Sequence, residues 1–250
     1  MKVLLPLIIS TIAGLSTVIG ALFIFLRFQK DNISKFISFC LAFSLSVMIC
    51  ISITDLIPSS SLNLLSTYKL SKGLIICLIS FLIGVFSINF INKKLKNIKK
   101  GSSLYKVGVL SMLALALHNL PEGIATFMSS YQDLELGLKL SLAIICHNIP
   151  EGIAIAIPIY YATSSKTQAL KKTLISGLTE PLGAILAYLF LAKYITNELI
   201  SIILIFVAGI MITLSINDLF PEAIKYQKKK YIILGLVSGA IVMLINHFLL

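Results

Sequence analysis

Two nearly identical octapeptides lie 29 positions apart in this chain of 250 residues. HNLPEGIA occupies positions 118–125 and HNIPEGIA positions 147–154, and the two differ only at Leu120 and Ile149. Each copy places a histidine, an asparagine, a glutamate and a proline inside a long apolar run. Residues i and i+4 of a helix lie about 40° apart around its axis. The histidine and the glutamate of each copy therefore share one helix face, with the asparagine beside them.

This residue set is suited to binding a divalent transition metal. Imidazole nitrogen, carboxylate oxygen and amide oxygen are all metal donors, and together they form an N/O-rich site. Because proline lacks an N–H, Pro121 and Pro150 free the backbone carbonyls of Leu117 and Cys146 as further oxygens. The two triplets are His118, Asn119 and Glu122, and His147, Asn148 and Glu151.

A third segment, TLISGLTEPLGA at 173–184, adds another acid before a proline. Helical periodicity places Thr173, Ser176 and Glu180 on one face, and Pro181 frees one more backbone carbonyl. A lone buried histidine or glutamate is explained by packing or by a hydrogen bond between helices. Two matched triplets and a third glutamate favour a metal site over either explanation.

The sequence contains no recognisable catalytic motif that would favour an enzyme. The chain contains no HExxH, no GxxxxGK[ST] phosphate loop, and no serine or cysteine paired with a base in a recognisable motif. Zinc-dependent hydrolysis needs an activated water beside a substrate groove, and no sequence feature supplies one. An intramembrane metalloenzyme is therefore a less favoured interpretation of this residue set.

The composition identifies the elements that must position these residues. Charged residues make up 12% of the chain and apolar ones 58%, with a mean hydropathy of +0.99, whereas soluble domains carry about 25% charged residues. Apolar runs of roughly 17–25 residues, enough to cross a bilayer, recur throughout. We predict an all-α integral membrane protein with eight transmembrane helices in a single transporter domain, 1–250. The predicted spans are 4–26, 36–57, 73–91, 107–130, 140–160, 173–192, 199–219 and 231–249.

The distribution of basic residues predicts how the chain crosses the membrane. Connections 1–2, 3–4, 5–6 and 7–8 carry 16 Lys and Arg, and the opposite side, with both termini, carries 5. Basic residues accumulate on the cytoplasmic side, so both termini should lie outside. The net charge of +11 is mostly this bias, and anionic lipid explains it better than nucleic acid does.

Five acidic residues fall within the predicted spans or at their ends, and no lysine or arginine accompanies them inside. They are Asp55, Glu122, Glu151, Glu180 and Asp218. An acid at a helix centre costs about 2.5–3.5 kcal/mol on insertion scales. Function, or a bound cation, must compensate for such a cost.

A weaker repeat indicates an internal duplication of the chain. MICISITDLIP at 48–58 and MITLSINDLFP at 211–221 match at seven of eleven positions, at the ends of the second and seventh spans. Spans separated by an odd number of helices run in opposite directions, which is the pattern of an inverted repeat. We therefore predict three helices, a central metal-bearing pair, and three inverted helices. Inverted-repeat transporters bind their substrates near the midplane at broken helices.

These motifs resemble the signature segments of the ZIP family of divalent-metal transporters. HNLPEGIATF, HNIPEGIA and SGLTEPLGA carry the resemblance, which covers essentially the whole chain and is closest to bacterial ZupT-type members. It implies eight helices with both termini outside, in agreement with the charge distribution. It also implies import of Zn²⁺ and, in the ZupT type, of Fe²⁺, Mn²⁺, Co²⁺ and Cd²⁺.

The resemblance further implies a binuclear metal centre. Its residues would be His118, Asn119, Glu122, His147, Asn148, Glu151 and Glu180. The histidine- and glutamate-rich half would hold zinc, and the asparagines with Glu180 would form the adjoining site. Glu122 and Glu151 would bridge the two metals, and Met48 is a further candidate on the metal path. His247 matches no motif, and we interpret it as structural.

We therefore predict a transporter of the cytoplasmic membrane that moves Zn²⁺ first, and the other divalent metals second, into the cytoplasm without ATP. Its partners would be metal ions and membrane lipid, with no nucleic acid and no cofactor beyond the transported metal. A metal-selective channel is the first alternative. The oligomer, a homodimer included, and the roles of Asp55 and Asp218 stay open at this point.

The charge asymmetry generates a topology prediction. A reporter that is active only in the cytoplasm, fused to the C-terminus, should be silent because that terminus is expected outside. The measurement is reporter activity in intact cells, compared with a fusion in the basic connection at 92–106. A bright C-terminal fusion would contradict the orientation or the number of spans.

Overall fold

In the computed structural model, the described residues are 3–26, 30–98, 104–194 and 196–249, and within these ranges the chain is helical with no strand. The helices are α1 (Leu4–Ala21), α2 (Lys30–Ile51), α3 (Ile57–Thr67), α4 (Leu70–Ile98), α5 (Leu104–Gln132), α6 (Leu134–Thr163), α7 (Lys166–Gly177), α8 (Thr179–Leu186), α9 (Asn197–Leu214), α10 (Phe220–Lys225) and α11 (Lys229–Leu249). The all-α prediction is confirmed.

Seven helical stretches within the described ranges are long and apolar enough to cross a membrane. They are Leu4–Phe25, Asn32–Thr67, Leu70–Phe90, Leu134–Thr163, Lys166–Leu191, Asn197–Lys225 and Lys229–Phe248. The predicted fourth span corresponds to α5, a helix of 29 residues that carries the first octapeptide. The eight elements thus follow one another in the predicted order, and we number the spans first to eighth accordingly.

The second and seventh spans extend further at their C-terminal ends than the sequence predicted, and the reason is a local change of helix type. The second span was predicted to end at position 57 and the seventh at 219, where Asp and Pro follow the apolar run. In each, one π-helical turn, Ser52–Leu56 or Ser215–Leu219, carries the helix past this point. A proline follows directly after each π-helical turn, at the start of α3 and of α10.

The prolines of the octapeptides do not break their helices. Pro121 lies inside α5 and Pro150 inside α6, and both helices continue on either side. Each proline removes one backbone donor but leaves its helix continuous, so the central helices are not the broken helices that such transporters often have. The sixth span has a single-residue interruption near Glu180, because α7 ends at Gly177 and α8 begins at Thr179.

The second and seventh spans meet through matched contacts. Ser52 Oγ lies 3.8 Å from Met211 Sδ, and Ser215 Oγ lies 3.8 Å from Met48 Sδ. These four residues are the equivalent serines and methionines of the two repeated segments, and all are buried. The crossed pairing is what a pseudo-twofold axis between the two spans requires.

The same symmetry relates the remaining outer spans. A Cβ added to Gly84 of the third span would lie 2.2 Å from Phe206 O, and one added to Gly239 of the eighth span would lie 2.7 Å from Phe43 O. Phe43 and Phe206 are separated by 163 positions, as are Met48 and Met211. The third span therefore packs on the seventh as the eighth packs on the second.

The first and sixth spans approach the central pair in the same symmetric way. A Cβ on Gly20 would lie 1.9 Å from Ile149 O in α6, and one on Gly183 would lie 2.1 Å from Leu120 O in α5. Leu120 and Ile149 are the equivalent positions of the two octapeptides. The 3+2+3 inverted repeat thus places backbone against backbone on both sides of α5 and α6.

We expect an alanine at Gly20 or Gly183 to destabilise the protein, because a methyl group cannot fit where a backbone oxygen lies within about 2 Å. Overpacking of this kind costs about 1–3 kcal/mol. Gly73→Ala is the matched control, since its nearest neighbour is the movable end of the Leu65 side chain. The measurement is the fraction of monodisperse protein left after heating in detergent. Equal melting of all three variants would contradict the close packing.

Candidate metal centre

The two octapeptides meet where α5 and α6 cross. His147 Nε2 lies 3.2 Å from Glu122 Oε1 and 3.5 Å from Glu122 Oε2, so the histidine of one copy faces the glutamate of the other. Both side chains are at most 1% exposed. The sequence predicted a shared face within each helix, and the tertiary structure adds the direct contact between the helices.

The two asparagines link this crossing to the first and sixth spans. Asn148 Nδ2 donates to Ala13 O at 3.1 Å and to Glu180 Oε2 at 3.0 Å. Asn119 Nδ2 donates to Ser176 O at 3.4 Å. Ala13 and Ser176 are 163 positions apart, so the two amide bonds obey the same symmetry as the outer spans. Because the amide nitrogens are used in packing, each amide oxygen is left for another partner.

Several oxygen atoms at this place are buried without a donor. Asn119 Oδ1, Asn148 Oδ1 and Glu180 Oε1 accept no hydrogen bond from any residue that the structure describes. Leaving a buried polar group unsatisfied costs about 1–3 kcal/mol. A divalent cation coordinated by these oxygens would remove that cost, and carboxylate and amide oxygens are suitable ligands for one.

Six of the seven residues proposed from the sequence are buried together around the crossing. They are Asn119, Glu122, His147, Asn148, Glu151 and Glu180, each at most 1% exposed. The seventh, His118, lies in α5, but its side chain falls outside the described part of the structure. Among the described side chains, no three histidine, cysteine, aspartate or glutamate groups are grouped closely enough to hold a metal ion. Asparagine is not one of these four residue types, so the oxygens of Asn119 and Asn148 are additional donors.

Two glycines create the space in which Glu180 lies. A Cβ on Gly14 of α1 would lie 2.9 Å from Glu180 Cβ, and one on Gly123 of α5 would lie 1.9 Å from Glu180 O. Ser10 Oγ also reaches Glu180 O, at 3.5 Å. Any larger residue at either glycine would push the sixth span away, so the acid is held between α1 and α5.

Sequence reasoning missed this part of α1. The signal was present, because GLSTVIGA at 14–21 and GLTEPLGA at 177–184 share both glycines, the leucine and the alanine. Their separation of 163 positions equals that of the second and seventh spans. Only four of eight residues agree, so the match stands out only once the structure shows the two segments in equivalent places.

Asp55 and Asp218 do not belong to the buried centre. Both are partly exposed, and Asp55 Oδ1 lies 2.9 Å from His247 Nδ1 and 4.0 Å from Lys139 Nζ. The sequence places no lysine or arginine inside the predicted spans beside these acids, and the structure shows that Lys139, just before the predicted fifth span, reaches Asp55. The structure thus gives His247 a carboxylate partner, and the buried acids among the described residues are the three glutamates.

Met48 is separated in space from the buried centre by one side chain, that of Ser44. Ser44 Oγ is 3.9 Å from Met48 Sδ and donates to His147 O at 3.4 Å. The thioether is therefore separated from the α6 backbone by a single hydroxyl. Its contacts with Ser44 and Ser215 explain its burial as packing.

Comparison with known proteins identifies the family. The family model described as ZIP zinc transporter matches residues 97–247. A protein of Oceanobacillus iheyensis called zinc transporter ZupT is 39% identical, over all of this chain and 99% of its own length. Proteins of that name from Streptococcus mutans and Clostridium perfringens are 37% and 35% identical, over 97% and 99% of this chain and 96% of their own lengths.

The chain belongs to the ZIP zinc transporter family. The resemblance stated from HNLPEGIATF, HNIPEGIA and SGLTEPLGA is thereby confirmed. All three segments lie within the matched residues 97–247, and so do the asparagines and glutamates of the buried centre. ZIP membership supports zinc transport by a multi-pass membrane protein, and it favours a transporter over an enzyme.

The unsatisfied oxygens generate a binding prediction. Zinc at about a hundred times its Kd should stabilise the purified protein by about 2.7 kcal/mol, because only the folded state holds these oxygens together. The measurement is thermal unfolding in detergent with Zn²⁺, with Mg²⁺ and with a chelator. Asp55→Asn should keep the effect, since Asp55 lies outside the centre. Zinc that stabilised no more than Mg²⁺ would contradict a metal centre.

Proposed function

We propose that this ZIP protein carries Zn²⁺ into the cytoplasm through a binuclear centre. Its ligands would be His118, Asn119, Glu122, His147, Asn148, Glu151 and Glu180, with Fe²⁺, Mn²⁺, Co²⁺ and Cd²⁺ as further substrates. The observation that carries the proposal is the contact between Glu122 and His147 across the duplicated motif. Two buried asparagine oxygens beside it support the same conclusion, because they lack donors among the described residues.

The charge of the centre suits a divalent cation. Glu122, Glu151 and Glu180 are all buried, and no lysine or arginine is among the buried residues of the described chain. Carboxylates in the low dielectric of a membrane attract a cation far more strongly than they would in water. A bound divalent metal therefore offsets the cost of burying these groups, while the histidines favour zinc over magnesium or calcium.

Transport would proceed by ligand exchange without ATP. The metal gives up its water for imidazole, carboxylate and amide donors, and takes water back on the other side. The chain has no phosphate-binding loop for nucleotide hydrolysis. The excess of basic residues in connections 1–2, 3–4, 5–6 and 7–8 supports the cytoplasmic membrane with both termini outside. Import is the direction that the resemblance to the ZIP family implies.

The burial of the centre favours a carrier over an open channel. Asn119, His147 and Glu151 are fully inaccessible in this structure, so a metal bound there is separated from both sides of the membrane. Helices must move before it can leave, which is the behaviour of alternating access. Uptake by proteoliposomes at fixed membrane potential should therefore saturate with metal concentration. Uptake that stayed proportional to concentration would support a channel instead.

The proposal is tested by removing charge without changing shape. Glu122→Gln and Glu151→Gln should each lower zinc uptake by at least about 100-fold, because even groups around metal ligands contribute about 10–100-fold. Glu180→Gln should weaken uptake less, since it belongs to the second metal site. The measurement is initial radiozinc uptake by proteoliposomes containing equal amounts of each variant.

Asp218→Asn is the matched control for these variants. It removes one carboxylate from a span, but at a partly exposed position outside the centre. It should leave substantial transport, and all variants should insert normally in the membrane. Near wild-type uptake by either Glu122→Gln or Glu151→Gln would refute the bridging role of these glutamates.

A further inference from the structure

The duplicated chain is not symmetric at one position beside the metal centre. When GLSTVIGA at 14–21 is aligned with GLTEPLGA at 177–184, Thr17 takes the place of Glu180. The fourth and fifth spans keep histidine, asparagine and glutamate in both copies. The first and sixth spans therefore differ at the one position where the sixth contributes a carboxylate.

The structure confirms that Thr17 and Glu180 are spatially equivalent. A Cβ on Gly14 would lie 2.4 Å from Gly177 O, and a Cβ on Gly177 would lie 2.5 Å from Gly14 O, so the two glycines face each other across the pseudo-twofold axis. The same added Cβ atoms would lie 2.9 Å from Glu180 Cβ and 3.4 Å from Thr17 Cβ, respectively. Each side chain thus extends past the glycine of the opposite span.

The hydroxyl of Thr17 has no donor or acceptor among the described residues, although Thr17 is fully buried. A buried threonine in a membrane helix usually donates to the carbonyl four residues earlier. For Thr17 that carbonyl is Ala13 O, which already accepts from Ser16 Oγ at 2.6 Å and from Asn148 Nδ2 at 3.1 Å. The asparagine of the metal centre therefore competes for the usual partner of this hydroxyl.

Other threonines of the same two spans show the usual arrangement. Thr11 Oγ1 donates to Leu7 O at 2.7 Å, and Thr173 Oγ1 donates to Ala169 O at 3.0 Å. Thr173 is as fully buried as Thr17. Burial on these helices therefore does not by itself leave a hydroxyl without a partner.

Two further buried oxygens lie on the Thr17 side of the axis. Asn119 is held there by its bond to Ser176 O, the carbonyl next to Gly177, against which Thr17 packs. Asn119 Oδ1 and Ser176 Oγ both lack a hydrogen-bond partner in the described structure, and both residues are fully buried. Thr17 thus puts a neutral hydroxyl where symmetry would place a second carboxylate, and Asn119 and Ser176 add two more unpartnered neutral oxygens on the segments beside Gly177.

We propose that Thr17 and Ser176, with Asn119, form an uncharged oxygen subsite for the divalent metal, opposite the charged subsite of Asn148 and Glu180. The inference rests on the proposed function and adds the two hydroxyls to its ligand set. Neutral oxygen donors suit harder ions such as Mn²⁺, so they narrow the usual preference of a metal site for Zn²⁺ over Mn²⁺. Because the subsite carries no charge, it holds a metal more weakly than the Glu180 side and lets it leave.

The test uses Thr17→Val and Ser176→Ala in the full-length protein. Equilibrium binding of Zn²⁺ and Mn²⁺ to purified protein should show Mn²⁺ affinity reduced by about tenfold in each variant, the lower end of the effect of groups around metal sites. Zinc affinity should fall by a smaller factor. In uptake assays the Mn²⁺ inhibition constant against radiozinc should rise in parallel. Thr17→Ser should have the wild-type Mn²⁺ affinity and Mn²⁺ inhibition constant, because it keeps the hydroxyl.

The controls separate this subsite from packing and from the proposed function. Thr11→Val and Thr173→Val remove hydroxyls that are bonded to their own helices, and they should leave the Mn²⁺ to Zn²⁺ ratio unchanged. If the wild type transports zinc but Thr17→Val and Ser176→Ala also leave that ratio unchanged, the subsite is refuted and the proposed function is not. A wild type that neither bound nor transported zinc would refute the proposed function itself.

Discussion

Three carboxylates buried at the crossing of two membrane helices set the central constraint of this structure. Glu122, Glu151 and Glu180 are at most 1% exposed, and the described chain buries no lysine or arginine near them. Hydrocarbon cannot solvate such groups, and unsatisfied polar atoms in a membrane each cost several kcal/mol. The surrounding helices must therefore supply donors, exclude lipid and keep room for a cation. The first, fourth, fifth and sixth spans meet these demands by packing closely through glycines.

Internal duplication explains how one chain assembles such a site. The fourth and fifth spans carry the two copies of the octapeptide, and the pseudo-twofold axis brings Glu122 of one against His147 of the other. Glycines at equivalent positions let the first and sixth spans approach these helices at backbone distance. Each asparagine then donates to a carbonyl of the neighbouring span, which leaves its buried amide oxygen without a partner among the described residues.

The duplicated halves are closely similar in some pairs of spans and differ in others. The octapeptides stayed nearly identical, and the second and seventh spans kept their serines, methionines and π-helical turns. The first and sixth spans differ at Thr17 and Glu180, so one side of the centre is charged and the other neutral. A strictly symmetric site with four glutamates would hold two divalent cations with no excess charge. Losing one carboxylate weakens that hold, and a transporter must release what it binds.

The sequence by itself determined the class of protein, the order of the spans and the residues with metal-binding chemistry. Those properties depend on local quantities: hydropathy over about 20 residues, the helical period, and a motif repeated at fixed spacing. The octapeptide is specific enough that Glu122, His147 and their neighbours needed no structure to be proposed. The tertiary structure decided which side chain meets which. The role of α1 depends on glycines packed against backbone atoms, which leave almost no trace in composition. Likewise, the pair of Asp55 and His247 joins residues from opposite ends of the chain, and no local pattern specifies such a contact.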